Sequence, residues 1–260
     1  MPSITPDKKK YVKILIKVLA VVFWIAVWQI AASIINMEIF LVSPFSVLKT
    51  LCALIITGGF WKTLWVSFYH IVSGFLVAAA AGALLAAASY RSRVVRELLS
   101  PVMSFFKAVP VASFIVLLLI VLAGSARNSL ALICAGIMVL PVIYTNVLQG
   151  FFSTDRNLLE MARVFKVSRG KRLLYIYVSN ILPFFRSGCK LALGLCWKAG
   201  VAAELIGLLA GTIGNEMYYS KLYLQMDALF AWTIAIIAIS IAFEKLFLLG
   251  VRLIQKKIER

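Results

Sequence analysis

Residues 160–183 read EMARVFKVSRGKRLLYIYVSNILP and form the longest basic, polar interruption in an otherwise almost continuously apolar chain. Around its start, apolar residues recur at Leu158, Met161, Ala162 and Phe165, the spacing of a helix with one apolar face. The second half repeats this pattern at Leu173, Leu174, Tyr177, Val178 and Ile181. The stretch therefore predicts two short amphipathic helices between membrane-length segments.

The composition places the chain in a membrane. Of its 260 residues, 63% are hydrophobic and 14% are charged, whereas a soluble domain is roughly 45–50% apolar and about 25% charged. A formal net charge of +17 would suggest nucleic acid binding in a soluble protein. Here the Lys and Arg residues are scattered among short loops, where they fix topology and meet anionic lipid. We therefore expect membrane lipid, and no nucleic acid, as a partner.

The apolar runs predict six membrane-spanning helices, since one span needs roughly 20 residues. The predicted spans are residues 14–35, 64–89, a broken segment from about 102 to 123, 129–151, 184–209 and 228–250. Pro101 and Pro110 are expected to break the third span, and Pro141 to kink the fourth. A short outer helix is predicted over residues 45–56, with Ser43 as its cap and Pro44 in its first turn. Residues 211–227 are expected to form an outer loop.

The positive charges indicate which side of each span faces the cytoplasm. With both termini inside, the cytoplasmic segments hold 17 Lys and Arg residues, and the outer segments hold only Lys49, Lys62, Arg127 and Lys221. The predicted organisation is residues 1–60 (tail, first span and outer helix), 61–250 (five spans with the cytoplasmic loop 152–183) and 251–260 (basic cytoplasmic tail). A soluble partner could thus reach the loop.

Motifs for catalysis and metal binding are missing from the sequence. A phosphate-binding G-x-x-x-x-G-K-[ST] motif is not formed, because Phe165 occupies the first glycine position and Arg172 follows Lys171. The G-x-S-x-G and H-E-x-x-H motifs are also absent. One histidine and four cysteines without a C-x-x-C pair predict free thiols and no metal site. We expect no catalytic residue, no cofactor and no enzymatic activity in this chain.

Charged residues inside spans are costly, and each is therefore a candidate functional residue. Lys190, Trp197 and Glu204 lie seven positions apart and share one stripe of the predicted fifth span. Trp197, Lys198 and Glu204 are our candidates for a translocation path. The alternative is that the charges pair with neighbouring helices and fix packing. For Glu204 both interpretations stay open, while the packing interpretation is favoured for Lys190.

Glu244 and Lys245 are charged neighbours in the predicted sixth span. Adjacent helical residues point in different directions, so these two side chains cannot share one site on the helix surface. Pairing with other helices is the favoured interpretation for both.

Residues 158–183 resemble the EAA loop of bacterial ABC importer permeases, the inner-membrane components of binding-protein-dependent transport. That motif consists of E-A-A, a glycine four positions after the second alanine, and a downstream I-x-L-P. Glu160 and Ala162 match it, whereas Met161 replaces the first alanine, Lys166 the glycine and Ser179 the proline. Later matches fall at Ile176, Leu182 and Pro183.

Two further stretches are similar to the nitrate/sulfonate/taurine-type subgroup of these permeases. They are LVSPFSVLKTL at residues 41–51 and SGCKLALGLCWKAGVAAELIG at residues 187–207, which includes Trp197 and Glu204. The resemblance implies an all-α membrane protein of six transmembrane helices, with the type I ABC importer permease fold, in the bacterial inner membrane. Its solute would be small, such as a sulfonate, taurine, nitrate or a pyrimidine precursor.

The resemblance also implies partners. Such a permease would form a homodimer, bind an ATP-binding subunit that hydrolyses the ATP, and receive solute from an extracytoplasmic binding protein. The helix that couples it to the ATPase would comprise Leu159, Glu160, Met161, Ala162, Arg163, Val164, Phe165 and Lys166. Met161, Ala162 and Phe165 are expected to form its apolar docking face, with Glu160 and Arg163 on the rim.

Two other functions stay open, an ion-gradient-driven secondary transporter and a membrane scaffold without transport activity. A secondary transporter is less favoured, because the chain shows no second repeat half and has a large basic cytoplasmic loop. Co-purification with an ATPase subunit would separate the importer from both alternatives.

Overall fold

The computed structural model describes residues 6–35, 37, 39–122 and 124–258, and it is helical throughout apart from short turns in these ranges. The first five residues of the predicted tail, residue 123 at the end of the predicted third span, and the last two residues lie outside the described part. The helices are α1 (Pro6–Ile35), α2 (Pro44–Ile56), α3 (Gly58–Arg91), α4 (Arg93–Ala108), α5 (Val111–Val121), α6 (Leu130–Phe152), α7 (Arg156–Val164), α8 (Arg169–Arg172), α9 (Ser179–Gly207), α10 (Ile213–Leu222) and α11 (Met226–Ile258). A 3-10 helix covers Gly124–Ser129, and a π-helical segment covers Leu173–Val178.

Four of the described helical segments are long and apolar enough to cross a membrane. They are Ile14–Ile35, Gly58–Arg91, Arg127–Phe152 and Met226–Ile258, which correspond to the predicted first, second, fourth and sixth spans. The bent pair α4–α5 makes a fifth if it is counted as one span. Helix α9 occupies the position of the predicted fifth span. It is 29 residues long but carries four charged residues, Arg186, Lys190, Lys198 and Glu204. It is therefore less apolar than the other four.

The third span is broken at one proline instead of two. Pro101 lies inside α4, where a proline removes one backbone hydrogen bond without ending the helix. The helix ends at Val109, which precedes Pro110 and has the extended backbone that a following proline favours (φ −67°, ψ 128°). Helices α4 and α5 consequently meet at an angle of 105°.

The short helix predicted over residues 45–56 and its cap are confirmed, but residues 211–227 are not a loop throughout. The Ser46 N–H donates to Ser43 Oγ at 3.2 Å at the start of α2, with Pro44 in the first turn. Within residues 211–227 the chain instead forms α10. It begins at Thr212, whose Oγ1 accepts a hydrogen bond from the Asn215 N–H at 3.3 Å. This side-chain cap makes a helix out of a stretch of mixed polarity.

The second half of the basic loop and the fifth long helix are continuous. Leu173 and Val178, at the two junctions, have helical backbone angles (φ −61°, ψ −50° and φ −63°, ψ −43°), so α8, the π-helical segment and α9 follow without a break. Pro183, the predicted boundary, lies inside α9. The predicted separate second amphipathic helix is thus the base of α9.

Helix α6 lies at the centre of the bundle and packs most extensively against α9 and α3. A Cβ atom added to Gly74 of α3 would fall on the Leu132 carbonyl oxygen of α6. One added to Gly188 of α9 would lie 2.9 Å from Asn146 Cβ. The predicted burial of the Ala- and Gly-rich second span is confirmed for one side only: its small side chains allow close contact between helix backbones, while Leu76, Val77 and Leu84 on the other side are exposed.

We expect Gly74→Ala to destabilise the bundle, because the added methyl meets backbone that cannot move aside. Overpacking of this kind costs about 1–3 kcal/mol. The measurement is the apparent melting temperature of the purified protein in detergent. Gly194→Ala is the matched control, since no atom lies within 4 Å of its added Cβ and Ala is the better helix former. An unchanged melting temperature for Gly74→Ala would contradict the close contact.

Candidate functional site

The predicted coupling segment forms a short, capped helix that projects from the bundle. Helix α7 begins after Asp155, whose Oδ1 accepts a hydrogen bond from the Asn157 N–H at 2.8 Å. It follows the end of α6 after only a short turn, which contains the buried Thr154. The cap fixes where α7 starts and therefore which side chains it presents outward.

The outward face of α7 is apolar and uncovered. Leu158, Met161 and Phe165 lie on one side of the helix and are 46%, 52% and 74% exposed. Ala162, in contrast, is only 4% exposed because it faces the rest of the chain. The predicted docking face was therefore wrong for Ala162, and Leu158 takes its place. We call Leu158, Met161 and Phe165 the coupling face.

The remaining predicted coupling residues surround this face. Glu160, Arg163 and Val164 are exposed, and Leu159 is half-buried towards the bundle. Charged groups next to an apolar face are typical of an interface rim. The predicted segment is thus assembled in one place, except that Ala162 and Leu159 connect it to its own chain.

Lys166 has a structural role at the end of α7. Its φ is +51°, in the left-handed region. The Lys166 N–H donates to the Arg163 carbonyl at 3.0 Å, and the Val167 N–H donates to the Ala162 carbonyl at 2.9 Å. These two bonds form a Schellman cap, in which the left-handed residue is most often glycine. The glycine expected from the resemblance would fill this position without strain.

Asn180 fixes the loop to the bundle, and the sequence reasoning did not identify it. Its Nδ2 donates to the Gly150 carbonyl at 3.0 Å, to Ser153 Oγ at 3.2 Å and to Thr154 Oγ1 at 3.1 Å. One side chain at the base of α9 thus binds the end of α6 and the turn into α7. The one sequence feature that could have indicated this role is that Asn180 is a polar residue at the end of the basic loop.

An aromatic cluster surrounds this junction. Tyr90, at the end of α3, stacks on Phe151 with ring centroids 4.8 Å apart, and its ring lies 5.9 Å from that of Tyr177. The Arg96 guanidinium lies over the Phe152 ring at 5.2 Å. Helices α3, α4 and α6 and the π-helical segment at the base of α9 therefore meet at this junction.

The three translocation candidates on α9 do not share one environment. Trp197 is buried, and its ring lies 6.3 Å from that of Phe68. Glu204 has no exposed surface. Lys198 is exposed, as is Lys190, on the side of α9 that the described chain leaves uncovered. Among the three, only Lys198 could touch a solute in this arrangement.

Glu204 binds the start of α10. Ser67 of α3 donates its hydroxyl to Glu204 Oε2 at 2.8 Å, and the Gly214 N–H donates to the same oxygen at 3.2 Å. Ser67 Oγ in turn accepts from the Ile213 N–H at 2.8 Å. The first N–H groups of α10 are thus satisfied by side chains from α3 and α9, with a carboxylate at the positive end of the helix dipole. This geometry favours the packing interpretation.

A family model for the binding-protein-dependent transport system inner membrane component matches residues 74–260. The chain belongs to this family. The match extends over the coupling loop and α9, the two regions described above. This protein is therefore a transport permease of the bacterial inner membrane with several membrane-crossing helices, and family membership implies an ATP-binding subunit and a solute-binding protein as partners.

Individual relatives share sequence with the permease over most of its length. It is 26% identical to the putative aliphatic sulfonates transport permease of Bacillus subtilis over 90% of this chain and 83% of the relative. It is 29% identical to the taurine transport system permease of Escherichia coli over 89% of this chain and 83% of the relative. It is 25% identical to the bicarbonate transport system permease of Synechococcus elongatus over 65% of this chain and 59% of the relative.

Replacing Lys166 by glycine should stabilise the end of α7. The left-handed conformation costs a residue with a side chain about 1–2 kcal/mol, which exceeds the entropy that glycine loses on ordering, about 0.5–1 kcal/mol. Hydrogen exchange at residues 163–168 of the permease should slow in Lys166→Gly. Lys171→Gly, within α8, is the control and should speed local exchange. Faster exchange in Lys166→Gly would contradict the assigned cap.

Glu204→Ala should destabilise the permease by about 2–4 kcal/mol, because it opens a cavity and leaves the buried Gly214 N–H and Ser67 hydroxyl without this acceptor. The measurement is the apparent melting temperature in detergent. Glu97→Ala removes an acid of similar size from an exposed pair with Arg93 and should change stability by at most about 0.5 kcal/mol. Equal melting temperatures for the two variants would exclude the structural role of Glu204.

Proposed function

We propose that this chain is the membrane subunit of an ATP-driven importer and that α7 couples it to the ATPase. The proposed topology has six spans with both termini in the cytoplasm, in which α4–α5 and α9 supply the third and fifth spans. The coupling face supports this assignment most directly: it is an exposed apolar surface on a capped helix outside the apolar spans. Such a surface is typical of a site covered by a partner protein.

The proposed mechanism is mechanical. ATP-driven closure of two ATPase subunits would move α7, and the capped ends of α7 and the Asn180 bonds would carry this displacement into α6 and α9. The helices would then exchange inward-facing and outward-facing arrangements, with each state stabilised by its partners. A homodimer would supply two coupling faces, one for each ATPase subunit. Hydrolysis itself would take place in the partner.

The proposed solute is a small molecule of the kind named for the relatives, such as a sulfonate, taurine or bicarbonate. The uncovered face of α9 would line its path, because Lys198 and Lys190 are charged side chains that face neither the bundle core nor a described partner. Charges at such positions need water or an opposite charge around them. Trp197 and Glu204 would support this face from inside the bundle.

Met161→Ser and Phe165→Ser together should uncouple the proposed importer. Loss of both apolar side chains removes the centre of the docking surface, and central apolar anchors carry most of the binding energy of an interface. In vesicles containing the permease, the ATPase and the binding protein, solute-stimulated ATP hydrolysis should fall at least about tenfold.

The matched control is Leu222→Ser in α10, a leucine that is 57% exposed but lies far from α7 in the sequence. It should leave stimulation unchanged. Both variants must insert and purify like the parent protein. Normal stimulated hydrolysis in the Met161/Phe165 variant would overturn the assignment of α7. Solute uptake that continues without ATP would instead favour a gradient-driven transporter.

A further inference from the structure

An open cleft of about 460 Å³ lies between α9 and α11. Arg186, Ser187 and Lys190 line it from α9, and Glu244 and Gln255 line it from α11. The volume lies within the range of small-molecule sites, about 300–1,000 Å³. The cleft has two positive charges and one negative charge on facing helices.

These charges are not neutralised by one another. Among the described residues the single ion pair within 4.0 Å is Arg93–Glu97. Arg186, Lys190 and Glu244 therefore form no ion pair, and no hydrogen bond of their side chains occurs in the described part of the chain. The expectation that Glu244 pairs with another helix is not met. The cleft therefore holds three charged side chains that could bind a charged ligand.

The cleft extends from Gln255, which follows the predicted sixth span, inward along α9 and α11 to Lys190 and Glu244. Gly188 of α9 packs against Asn146 of α6, and Asn146 is six residues before the end of α6 at Phe152. At 1.5 Å per residue this is about 9 Å from that end of the span, and Lys190 lies deeper by about 3 Å. Unpaired charges at such depth are tolerated where they face water or a charged ligand.

We infer that this cleft binds a small zwitterionic solute, one that carries an oxyanion at one end and a protonated amine at the other. Arg186 and Lys190 would bind the oxyanion through charge-assisted hydrogen bonds. Glu244, on the opposite wall, would accept from the amine. An anion alone would leave Glu244 unmatched, and a cation alone would leave the two basic side chains unmatched. The inference rests on the proposed importer function and specifies its substrate class.

A zwitterionic phospholipid headgroup offers the same pair of charges. Lys190, at the inner end of the cleft, favours a free solute, because a headgroup belongs at the membrane surface. The experiment therefore includes membranes with and without phosphatidylethanolamine.

Thiol labelling can test the cleft without depending on transport. Cys52 is the exposed thiol, whereas Cys134, Cys189 and Cys196 are buried. In a Cys52→Ser background, the native cysteines should therefore react little with the labelling reagent. Ser187→Cys places a thiol in the cleft. The complete importer that carries this variant is reconstituted in phosphatidylglycerol vesicles with its cytoplasmic side facing outward. A negatively charged, membrane-impermeant methanethiosulfonate should label it, and taurine should slow the labelling.

The role of Glu244 is tested by comparing two protecting solutes. Taurine should protect Ser187→Cys at a concentration about tenfold lower than ethanesulfonate, which lacks the amine. In Glu244→Gln the two solutes should protect equally. Lys245→Gln, a charge change at the adjacent exposed residue, should keep the difference. Leu246→Cys, on the opposite side of α11, should not be labelled.

Three results would overturn the inference. They are no labelling of Ser187→Cys, equal protection by taurine and ethanesulfonate in the parent background, and slower labelling on addition of phosphatidylethanolamine without solute. ATP-driven uptake measured in the same vesicles separates this test from the proposed function. Uptake without protection would contradict only the proposed binding site in the cleft. Protection without uptake would contradict only the assignment of the chain to an ATP-driven importer.

Discussion

The structure depends on the close approach of α6 to the two helices beside it. Inside a membrane the hydrophobic effect does not drive helices together, so their association depends on backbone proximity and van der Waals packing. Gly74 provides this proximity towards α3, where its Cα lies beside the Leu132 carbonyl. Gly188 and Gly150 provide it towards α9.

The same contact connects the bundle to its cytoplasmic surface. Gly150 packs against Ile181 and Phe184, and its carbonyl also accepts the Asn180 side chain. Helix α7 is therefore attached next to one of the close contacts between α6 and α9. The chain is helical from Arg169 to Gly207, so this attachment site is continuous with the whole of α9. In the proposed mechanism, this attachment would carry a displacement of α7 to α6 and α9.

Sequence patterns predicted what depends on long apolar runs and on caps, such as four apolar membrane-length helices and the start of α2 at Ser43. They failed where tertiary contacts decide. Pro183 was interpreted as a boundary, although the helical base before it continues into α9. The periodicity of α7 placed Ala162 with Met161, but apolar spacing cannot distinguish a face that packs on its own chain from one that a partner covers. Residues 211–227 lacked an apolar run, and the acceptors that stabilise α10 come partly from distant Ser67 and Glu204.

Glu204 and Lys198 show why membrane depth alone does not assign a function. Both are ionisable residues of α9, six positions apart, and charge inside a span is costly for each. Glu204 Oε2 accepts from the Gly214 N–H at the start of α10 and from the Ser67 hydroxyl, whereas the buried Oε1 has no hydrogen-bond partner among the described residues. Lys198 faces away from the described chain and has no acceptor there. One helix can therefore stabilise the bundle with its buried charge while its uncovered charges remain free for water, solute or a second subunit.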